Sequence, residues 1–173
     1  APSVGPRRDP VLLDRDGTLH RLRPGDVTDP AEPRVLPGAV VAVRQLNELG
    51  ARVIVVTNQR GLARGELQAG QLQSVHLQLL AEMEAGGATL DGFQVCGHEA
   101  GTCECRKPAP GLIYQAIQRC DWVQPGRVLM VGDSASDEGA AHQAGIDFVR
   151  IEDPQIGLTE KIEKVMALCA HDD

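Results

Sequence analysis

The sequence predicts an α/β fold, a Rossmann-like three-layer α/β/α arrangement with a mainly parallel central sheet. Three short apolar runs, at residues 11–13, 53–56 and 128–131, are too brief for helices and end at polar residues or glycine. Such runs are typical of strands that are buried on both faces. Segments with helical periodicity separate them, and a strand–helix–strand order implies a right-handed crossover between parallel neighbours. The 173 residues suffice for one well-buried domain and are few for two.

Composition and charge narrow the possible functions. Hydrophobic residues make up 42% of the chain and aromatic residues only 2%, so we expect a core of Val, Leu, Ile and Ala. The net charge of −7 argues against general nucleic-acid binding, which depends on clustered Lys and Arg. No apolar run approaches the length of a membrane span, and residues 1–9 lack the apolar core of a signal peptide.

These observations also predict how the chain is organised. We expect residues 1–9 to be a loose N-terminal leader and residues 10–173 to form a single domain with a metal-binding loop at residues 96–105. Five cysteines is an odd count, and three of them lie between Cys96 and Cys105, which suits metal ligation in a reducing compartment better than a disulfide framework. We therefore expect a cytoplasmic monomer that binds neither nucleic acid nor membranes.

Two acidic residues follow the first apolar run, in the hexapeptide Asp14-Arg15-Asp16-Gly17-Thr18-Leu19. The carboxyl ends of parallel strands meet at one edge of a sheet, and ligands bind at that edge in open α/β folds. Two acids one residue apart can hold a hard cation while each keeps a separate chemical role. Taken alone, the hexapeptide is also compatible with a polar strand end followed by a turn.

The second apolar run ends at Thr57-Asn58-Gln59. A right-handed crossover through a helix at residues 37–50 would place Thr57 beside Asp14. There its hydroxyl can donate a hydrogen bond to a phosphoryl oxygen without adding charge. An isolated Thr at this point would more simply be a strand-end or helix-capping residue.

The remaining segments have weaker signals. Residues 20–37 lack helical periodicity and predict a loop with a short hairpin. A flexible loop at residues 61–65 carries Arg64, which either contacts substrate or is simply solvated. His76, on the helix that follows, has no predicted role. The other predicted elements are helices at about residues 66–85, from residue 110, up to residue 144 and at 159–170, and strands at 93–95 and 148–151.

Four potential zinc ligands lie within ten residues: Cys96, His98, Cys103 and Cys105. Where the backbone is extended, the pairs Cys-x-His and Cys-x-Cys each turn both side chains to the same side. Four residues that include Gly101 separate the pairs and let the chain fold back. Three thiolates and one imidazole complete a tetrahedral zinc site, which is structural because no position is left open for water. The alternative is a loop with reduced, unliganded cysteines.

Arg106 and Lys107 directly follow this zinc knuckle, residues 96–105. A lysine at the sheet edge can stabilise the charge of a nucleophile and of a transferring phosphoryl group. The planar fork of an arginine can bind phosphate through two hydrogen bonds. The usual interpretation of such a dipeptide is a pair of solvated side chains, but a metal-pinned loop would hold Lys107 more firmly than a free one.

A third carboxylate follows the apolar run at residues 128–131, which ends at Gly132-Asp133. Oxygen ligands from Asp14, Asp133 and the backbone carbonyl of Asp16 suit magnesium, which keeps several waters and binds substrate phosphate. Asp137 either orients these ligands or is a charge at a helix N-terminus.

The acidic pair, Thr57, Lys107 and Asp133 occur in the order found in the haloacid dehalogenase superfamily of phosphotransferases, which the chain resembles from residue 11 to residue 151. The resemblance implies that Asp14 is the nucleophile and Asp16 the general acid and base, which agrees with carboxylate chemistry. Residues 20–37 leave no room for the cap domain that some members carry. We therefore expect an open pocket closed by local loops.

The zinc knuckle, together with Asp-Arg-Asp-Gly-Thr and Thr-Asn-Gln, resembles the branch that contains heptose-bisphosphate and histidinol-phosphate phosphatases. The residues around the phosphate are then expected to be Asn58, Gln59, Arg64, Arg106 and Lys107. The stretch after Thr57 resembles the heptose enzymes in particular and implies removal of the C7 phosphate of a heptose 1,7-bisphosphate. Two departures affect the choice of substrate: the segment between His98 and Cys103 is short, and Ser134 replaces a lysine common in heptose enzymes.

Two other classes share part of this pattern. A polynucleotide 3′-phosphatase also has Asp-x-Asp-Gly-Thr and Thr-Asn-Gln, but it should carry a broad basic groove, which the acidic composition disfavours. A binding module without activity would have no need to keep both acids, the lysine and the third carboxylate.

Overall fold

In the computed structural model, which describes residues 7–23, 25–29, 31, 35–99 and 101–170, five parallel strands form one sheet. Numbered along the chain, they are β1 (Val11–Leu13), β2 (Val53–Asn58), β3 (Gly92–Cys96), β4 (Leu129–Gly132) and β5 (Asp147–Arg150). They lie side by side in the order β3-β2-β1-β4-β5, so the first strand is central. The predicted α/β fold with a parallel sheet is confirmed.

Helices cover both faces of this sheet. The α-helices are α1 (Ala39–Glu48), α2 (Gly61–Arg64), α3 (Ala69–Ala85), α4 (Gly111–Arg119), α5 (Ala135–Ala144) and α6 (Ile162–Cys169). Because side chains alternate along a strand, Leu13 packs in the core formed with α1, α3 and α6, whereas Leu12 packs in the core formed with α4 and α5. The sheet is therefore the middle of three layers. None of the helices in the described ranges has the length and apolar character needed to cross a bilayer.

The register of the sheet brings the polar strand ends together. β1 pairs with both β2 and β4, and Leu13 lies opposite Val55 and Val131. All the strands run in the same direction, so the residues that follow them share one edge. Asp14 thus emerges between the ends of β2 and β4.

Several segments differ from the sequence-based prediction. Residues 61–65, predicted to be a loop, contain the short helix α2, because Gly65 adopts the left-handed conformation (φ 73°) that closes a helical turn. Strand β5 begins at Asp147 rather than at residue 148. The closing helix begins at Ile162, after a 3-10 helix at Gly157–Lys161. In the described part of residues 20–37, the expected hairpin is reduced to one antiparallel bridge between His20 and Val35.

The N-terminal segment is attached to the domain where the structure describes it. Residues 1–6 of the expected leader lie outside the described residues. The Arg7 side chain donates a 2.6 Å hydrogen bond to the carbonyl of Leu49, and the Asp9 carboxylate pairs with Arg52 at 3.1 Å. Arg7 and Asp9 are therefore anchored parts of the fold and not of a loose leader.

Candidate active site

Asp14 and Asp133 lie at the carboxyl edge of the sheet, one directly after β1 and the other directly after β4. The close approach of their two loops depends on Gly17, which has a φ of 85°. A Cβ at this position would lie 2.4 Å from Oδ2 of Asp133. Only glycine can therefore occupy position 17 without displacing the carboxylate.

Lys107 joins Asp14, the predicted nucleophile, to Asp137 through hydrogen bonds. Its Nζ donates hydrogen bonds to Oδ1 of Asp14 (2.9 Å), to the carbonyl of Val56 (3.1 Å) and to Oδ1 of Asp137. The side chain is only 3% exposed. Burial opposes its charge, but the two carboxylates outweigh burial and raise the pKa of Lys107. The ammonium group is therefore a fixed positive charge beside Asp14.

The carboxylates of Asp14, Asp133 and Asp137 form an acidic cluster, with one oxygen of each within 4.8 Å of the others. Burial raises the pKa of Asp14 well above its ordinary value; Lys107 opposes this shift and Asp137 adds to it. Burial also raises the pKa of Asp133. Three carboxylates facing one ammonium group leave an excess of negative charge. A hard divalent cation such as Mg²⁺ therefore fits this cluster.

Asp137 has two structural tasks at the site. It is fully buried, and one oxygen accepts the hydrogen bond from Lys107. The other oxygen accepts a 2.8 Å hydrogen bond from the hydroxyl of Ser134, the N-cap of α5. Both sequence-based interpretations of Asp137, a group that orients the ligands and a helix-terminal charge, are therefore compatible with its contacts.

Asp16 directs its carboxylate away from the acidic cluster. Oδ2 accepts a 3.0 Å hydrogen bond from Arg15 and lies 3.5 Å from Nε2 of Gln59. The same Nε2 donates a 3.0 Å hydrogen bond to the hydroxyl oxygen of Thr57, which is 1% exposed. The Thr57 proton is thus available for another acceptor. Any contribution of Asp16 to a metal would come from its backbone, since its side chain is outside the cluster found in the described residues.

Asn58 positions the backbone of Lys107. Its side-chain amide donates to the carbonyl of Lys107 (3.2 Å) and accepts from the amide of Lys107 (3.1 Å). This reciprocal pair joins the end of β2 to the segment after the zinc knuckle. The expected substrate-binding residue Asn58 therefore also has a structural role.

A cleft of about 370 Å³ is lined by Asp16, two residues after Asp14, and by Asn58, next to Thr57. The other lining residues are Arg15, Gly25, Asp26, Gln59, Arg60, Arg64, Glu66 and Arg106. Arg64 is paired with Glu99, whereas Nη1 of Arg106 is buried without a hydrogen-bond partner in the described structure. The cleft mouth is therefore rich in cations and has one buried donor still to be satisfied.

The four predicted zinc ligands converge at the end of β3. The sulfur of Cys96 lies 2.9 Å from that of Cys105 and 3.5 Å from that of Cys103, and Nδ1 of His98 lies 3.3 Å from the sulfur of Cys105. All four ligand atoms lie within 4.8 Å of one another. A tetrahedral ion with bonds of about 2.0 to 2.3 Å would fill the space between such atoms.

The chemistry of these thiols also fits a bound cation. The backbone amide of Arg106 donates to the sulfur of Cys103 (3.4 Å); although burial opposes the thiolate, this bond and the neighbouring thiols lower the pKa of Cys103 to about 6. Burial and the neighbouring thiols raise the pKa of Cys105 to about 12. Without a cation, these neighbouring thiols cannot all be ionised at once. A zinc ion binds the thiolate form and would offset the repulsion between them.

Comparison with known proteins identifies the family. A family model for haloacid dehalogenase-like hydrolase matches residues 12–145. The chain belongs to this family. A D-glycero-beta-D-manno-heptose-1,7-bisphosphate 7-phosphatase of Rhodopseudomonas palustris is 38% identical over 165 residues, which cover 90% of each chain. A D-glycero-alpha-D-manno-heptose-1,7-bisphosphate 7-phosphatase of Mycobacterium bovis is 36% identical over 149 residues, covering 85% of this chain and 78% of the relative.

Solved structures support the same assignment. A D,D-heptose 1,7-bisphosphate phosphatase from B. bronchiseptica, complexed with magnesium and phosphate, matches with a TM-score of 0.80 at 32% identity, covering 90% of this chain and 86% of that one. A HAD-like phosphatase from Mesorhizobium loti matches with a TM-score of 0.79 at 28% identity, covering 100% of this chain and 93% of that one. The chain is therefore a hydrolase with the fold of these phosphatases.

In this haloacid dehalogenase-like hydrolase, the predicted site residues fall into two regions. The first, called here the buried end of the site, is at the sheet edge and contains Asp14, Thr57, Lys107 and Asp133. The second, called here the mouth, is the cleft lined by Asp16, Asn58, Gln59, Arg64 and Arg106. The sequence did not indicate any role for Arg15, Arg60 or His76. Arg15 is inside the first motif, but an arginine beside a strand end is normally solvated and gives no signal of burial.

Proposed function

We propose that the chain is a magnesium-dependent phosphomonoesterase that acts through an aspartyl-phosphate on Asp14. The decisive observation is a buried carboxylate held 2.9 Å from Lys107, inside an acidic cluster at the carboxyl edge of the sheet. A nucleophilic carboxylate divides one difficult displacement into two easier ones. Mg²⁺, bound by the acidic cluster, would supply positive charge to the phosphate oxygens.

The side chains of this site have separate roles in the proposed reaction. Asp14 attacks phosphorus in line, and the ammonium group of Lys107 offsets the repulsion between the carboxylate and the phosphate. The hydroxyl of Thr57, whose oxygen already accepts from Gln59, donates to a phosphoryl oxygen. Asp16 gives a proton to the departing sugar oxygen and later takes one from the water that hydrolyses the aspartyl-phosphate.

We propose D-glycero-D-manno-heptose 1,7-bisphosphate as the substrate, with loss of the C7 phosphate. Such a molecule carries a second phosphate that must remain outside the acidic cluster. The exposed side chains of Arg60 and Arg64 and the half-buried Arg106 line the mouth where it would lie, and a guanidinium group suits phosphate oxygens. The relative named for the beta anomer is 38% identical to this chain and the relative named for the alpha anomer is 36% identical. The test below therefore uses both anomers.

Histidinol phosphate is the second candidate substrate. It has one phosphate and a cationic amine in place of the second phosphate. The carboxylates of Asp26 and Glu66 also line the cleft mouth and suit an ammonium group. On the sequence pattern the short zinc knuckle favours this alternative, and Ser134 departs from the lysine common in heptose enzymes.

The site is assembled from one chain, so we propose that the monomer is active. We propose zinc at Cys96, His98, Cys103 and Cys105 as a structural ion that fixes the segment leading to Lys107. Reduced cysteines at this site are consistent with a reducing compartment such as the cytoplasm. Residues 10–173 are proposed to form the single catalytic domain.

The substrate is tested by measuring kcat/KM for both anomers of the heptose bisphosphate and for histidinol phosphate, with and without Mg²⁺. We expect one heptose anomer to exceed histidinol phosphate by at least about tenfold, since an unfilled charged subsite costs more than about 1.4 kcal/mol. A higher value for histidinol phosphate would assign the second candidate. No magnesium-dependent phosphate release from any phosphomonoester would contradict the proposed activity, and salt-dependent binding to DNA ends would favour the polynucleotide alternative.

A further inference from the structure

Arg15 is a buried cation whose position has not been explained by the proposed reaction. It is the residue between the two catalytic carboxylates, yet it is only 1% exposed. Its Nε donates to Oδ1 of Asp16 at 3.1 Å, and its Nη2 donates to Oδ2 at 3.0 Å. The planar guanidinium therefore holds both oxygens of the Asp16 carboxylate at once.

The remaining terminal nitrogen of Arg15 reaches a different element. Nη1 lies 3.1 Å from Nε2 of His76 on α3. Arginine can only donate, so Nε2 of His76 is the acceptor and the ring is neutral. The His76 ring is 7% exposed and stacks on Phe93 of β3, with centroids 4.2 Å apart and planes 12° apart. The partner of Arg15 is thus itself fixed by packing.

Other contacts to the Asp16 carboxylate are longer. Gln59 lies 3.5 Å away, and Nδ1 of His20 lies 3.9 Å away and has no hydrogen-bond partner in the described structure. The Asp16 side chain is 29% exposed, so solvent could accommodate other orientations. The two short bonds from Arg15 are therefore the main constraint on the carboxylate.

We infer that His76, acting through Arg15, is a positioning residue that fixes the orientation of the general acid and base Asp16. The inference depends on the proposed phosphatase function. A buried guanidinium is stable only where its donors are satisfied, and removal of one partner leaves a costly unpaired group. Without the His76 acceptor, Arg15 would reorient toward water and the Asp16 carboxylate would reorient with it.

This role predicts a selective defect. Proton transfer to a poor leaving group needs Asp16 in the correct geometry, whereas attack by Asp14 on phosphorus does not. A sugar alcohol must be protonated as it departs. The p-nitrophenolate ion is stable without a proton, so its release in the first turnover should be insensitive to the orientation of Asp16.

The test compares His76→Leu with His76→Gln in the zinc- and magnesium-loaded enzyme. We expect His76→Leu to lower kcat for the heptose bisphosphate by about tenfold to a hundredfold with KM changed less than about twofold. His76→Gln, which retains an acceptor, should recover most of the rate. The first-turnover release of p-nitrophenolate from p-nitrophenyl phosphate should remain within about twofold of wild type in both variants.

Leu79→Ala is the matched control, because Leu79 is buried in the apolar core on the same helix and its side chain has no atom that could accept a hydrogen bond from Arg15. It should destabilise the protein without changing the ratio of the two substrates' rates. The inference would be overturned by equal losses on both substrates in His76→Leu, by failure of His76→Gln to recover the rate, or by a ratio of rates in Leu79→Ala that shifts as much as in His76→Leu. If His76→Leu does not fold, Arg15→Lys replaces it in the test. This variant keeps the charge but loses the planar guanidinium, and it must show the same loss of kcat for the heptose bisphosphate with little change in p-nitrophenolate release. An inactive wild type would instead refute the proposed function.

Discussion

The charged side chains at the buried end of the site and those at its mouth differ in their exposure to solvent. At the buried end, Asp14, Lys107 and Asp137 are nearly dry and hold one another at fixed distances. At the mouth, Arg60 and Arg64 are exposed, and Arg64 is paired with a single carboxylate. Preorganised charges in a dry site stabilise a transition state strongly, whereas exposed ion pairs contribute little and adapt easily. The comparison indicates that the buried end carries the attack on phosphorus, and that the exposed arginines of the mouth select the rest of the substrate.

The largest effect is expected at the buried end, from Asp14→Asn. Loss of the nucleophile should lower kcat by at least about a thousandfold. The near-isosteric amide should leave the fold intact, which circular dichroism and zinc content would verify. A wild-type rate in this variant would refute the role of Asp14.

The zinc knuckle leads directly into Arg106 and Lys107, and Cys105→Ser tests its contribution. We expect the bound zinc to be lost and the free energy of unfolding to fall by more than about 3 kcal/mol, because metal binding contributes directly to folding. Metal analysis and urea unfolding measure both quantities. Cys120→Ala is the matched control, since Cys120 is buried but outside the knuckle; it should retain zinc. Full zinc content in Cys105→Ser would remove the proposed ligand.

The contribution of His76, the partner of Arg15, to the free energy of unfolding should depend on pH. Burial, Arg15 and His20 lower the pKa of His76 from 6.5 to about 3, so the unfolded chain binds a proton that the folded chain excludes between these values. The contribution to stability is complete above pH 6.5 and is lost as the pH falls toward 3.

Between pH 7 and pH 5, wild type should therefore lose about 2 kcal/mol more unfolding free energy than His76→Gln, which cannot titrate. Urea unfolding of both proteins measures this difference, and zinc ligation contributes equally to each. Identical losses in the two proteins would show that His76 is not held neutral.

The smallest effect is expected at the mouth. Arg64→Ala should raise KM for the heptose bisphosphate by about threefold, with kcat little changed, because an exposed arginine loses only a weak contact. Arg119→Ala, an exposed arginine on α4 away from the cleft, is the matched control and should change neither parameter. A large loss of kcat in Arg64→Ala would show that Arg64 takes part in the chemical step and not only in substrate binding.

Much of this site could be predicted because its signals are local. A short apolar run that ends at Asp14 or Asp133 locates a polar strand end, and the parallel order of the strands places these ends at one edge. Four ligands within residues 96–105 needed only chain reversal to converge. The helix α2 was missed because a single helical turn closed by Gly65 has no periodicity to detect.

The sequence by itself determined the parallel α/β fold, the acidic and basic residues at its edge and the cluster of three cysteines and one histidine, since each depends on alternation, spacing or turn chemistry within a few residues. Only the tertiary structure decided which buried partners these groups have. Arg15 meets His76 across 61 positions, and Lys107 meets Asp137 across 30. The physical reason is that the partner of a buried charge lies on an element that packs against it, and packing depends on the whole fold.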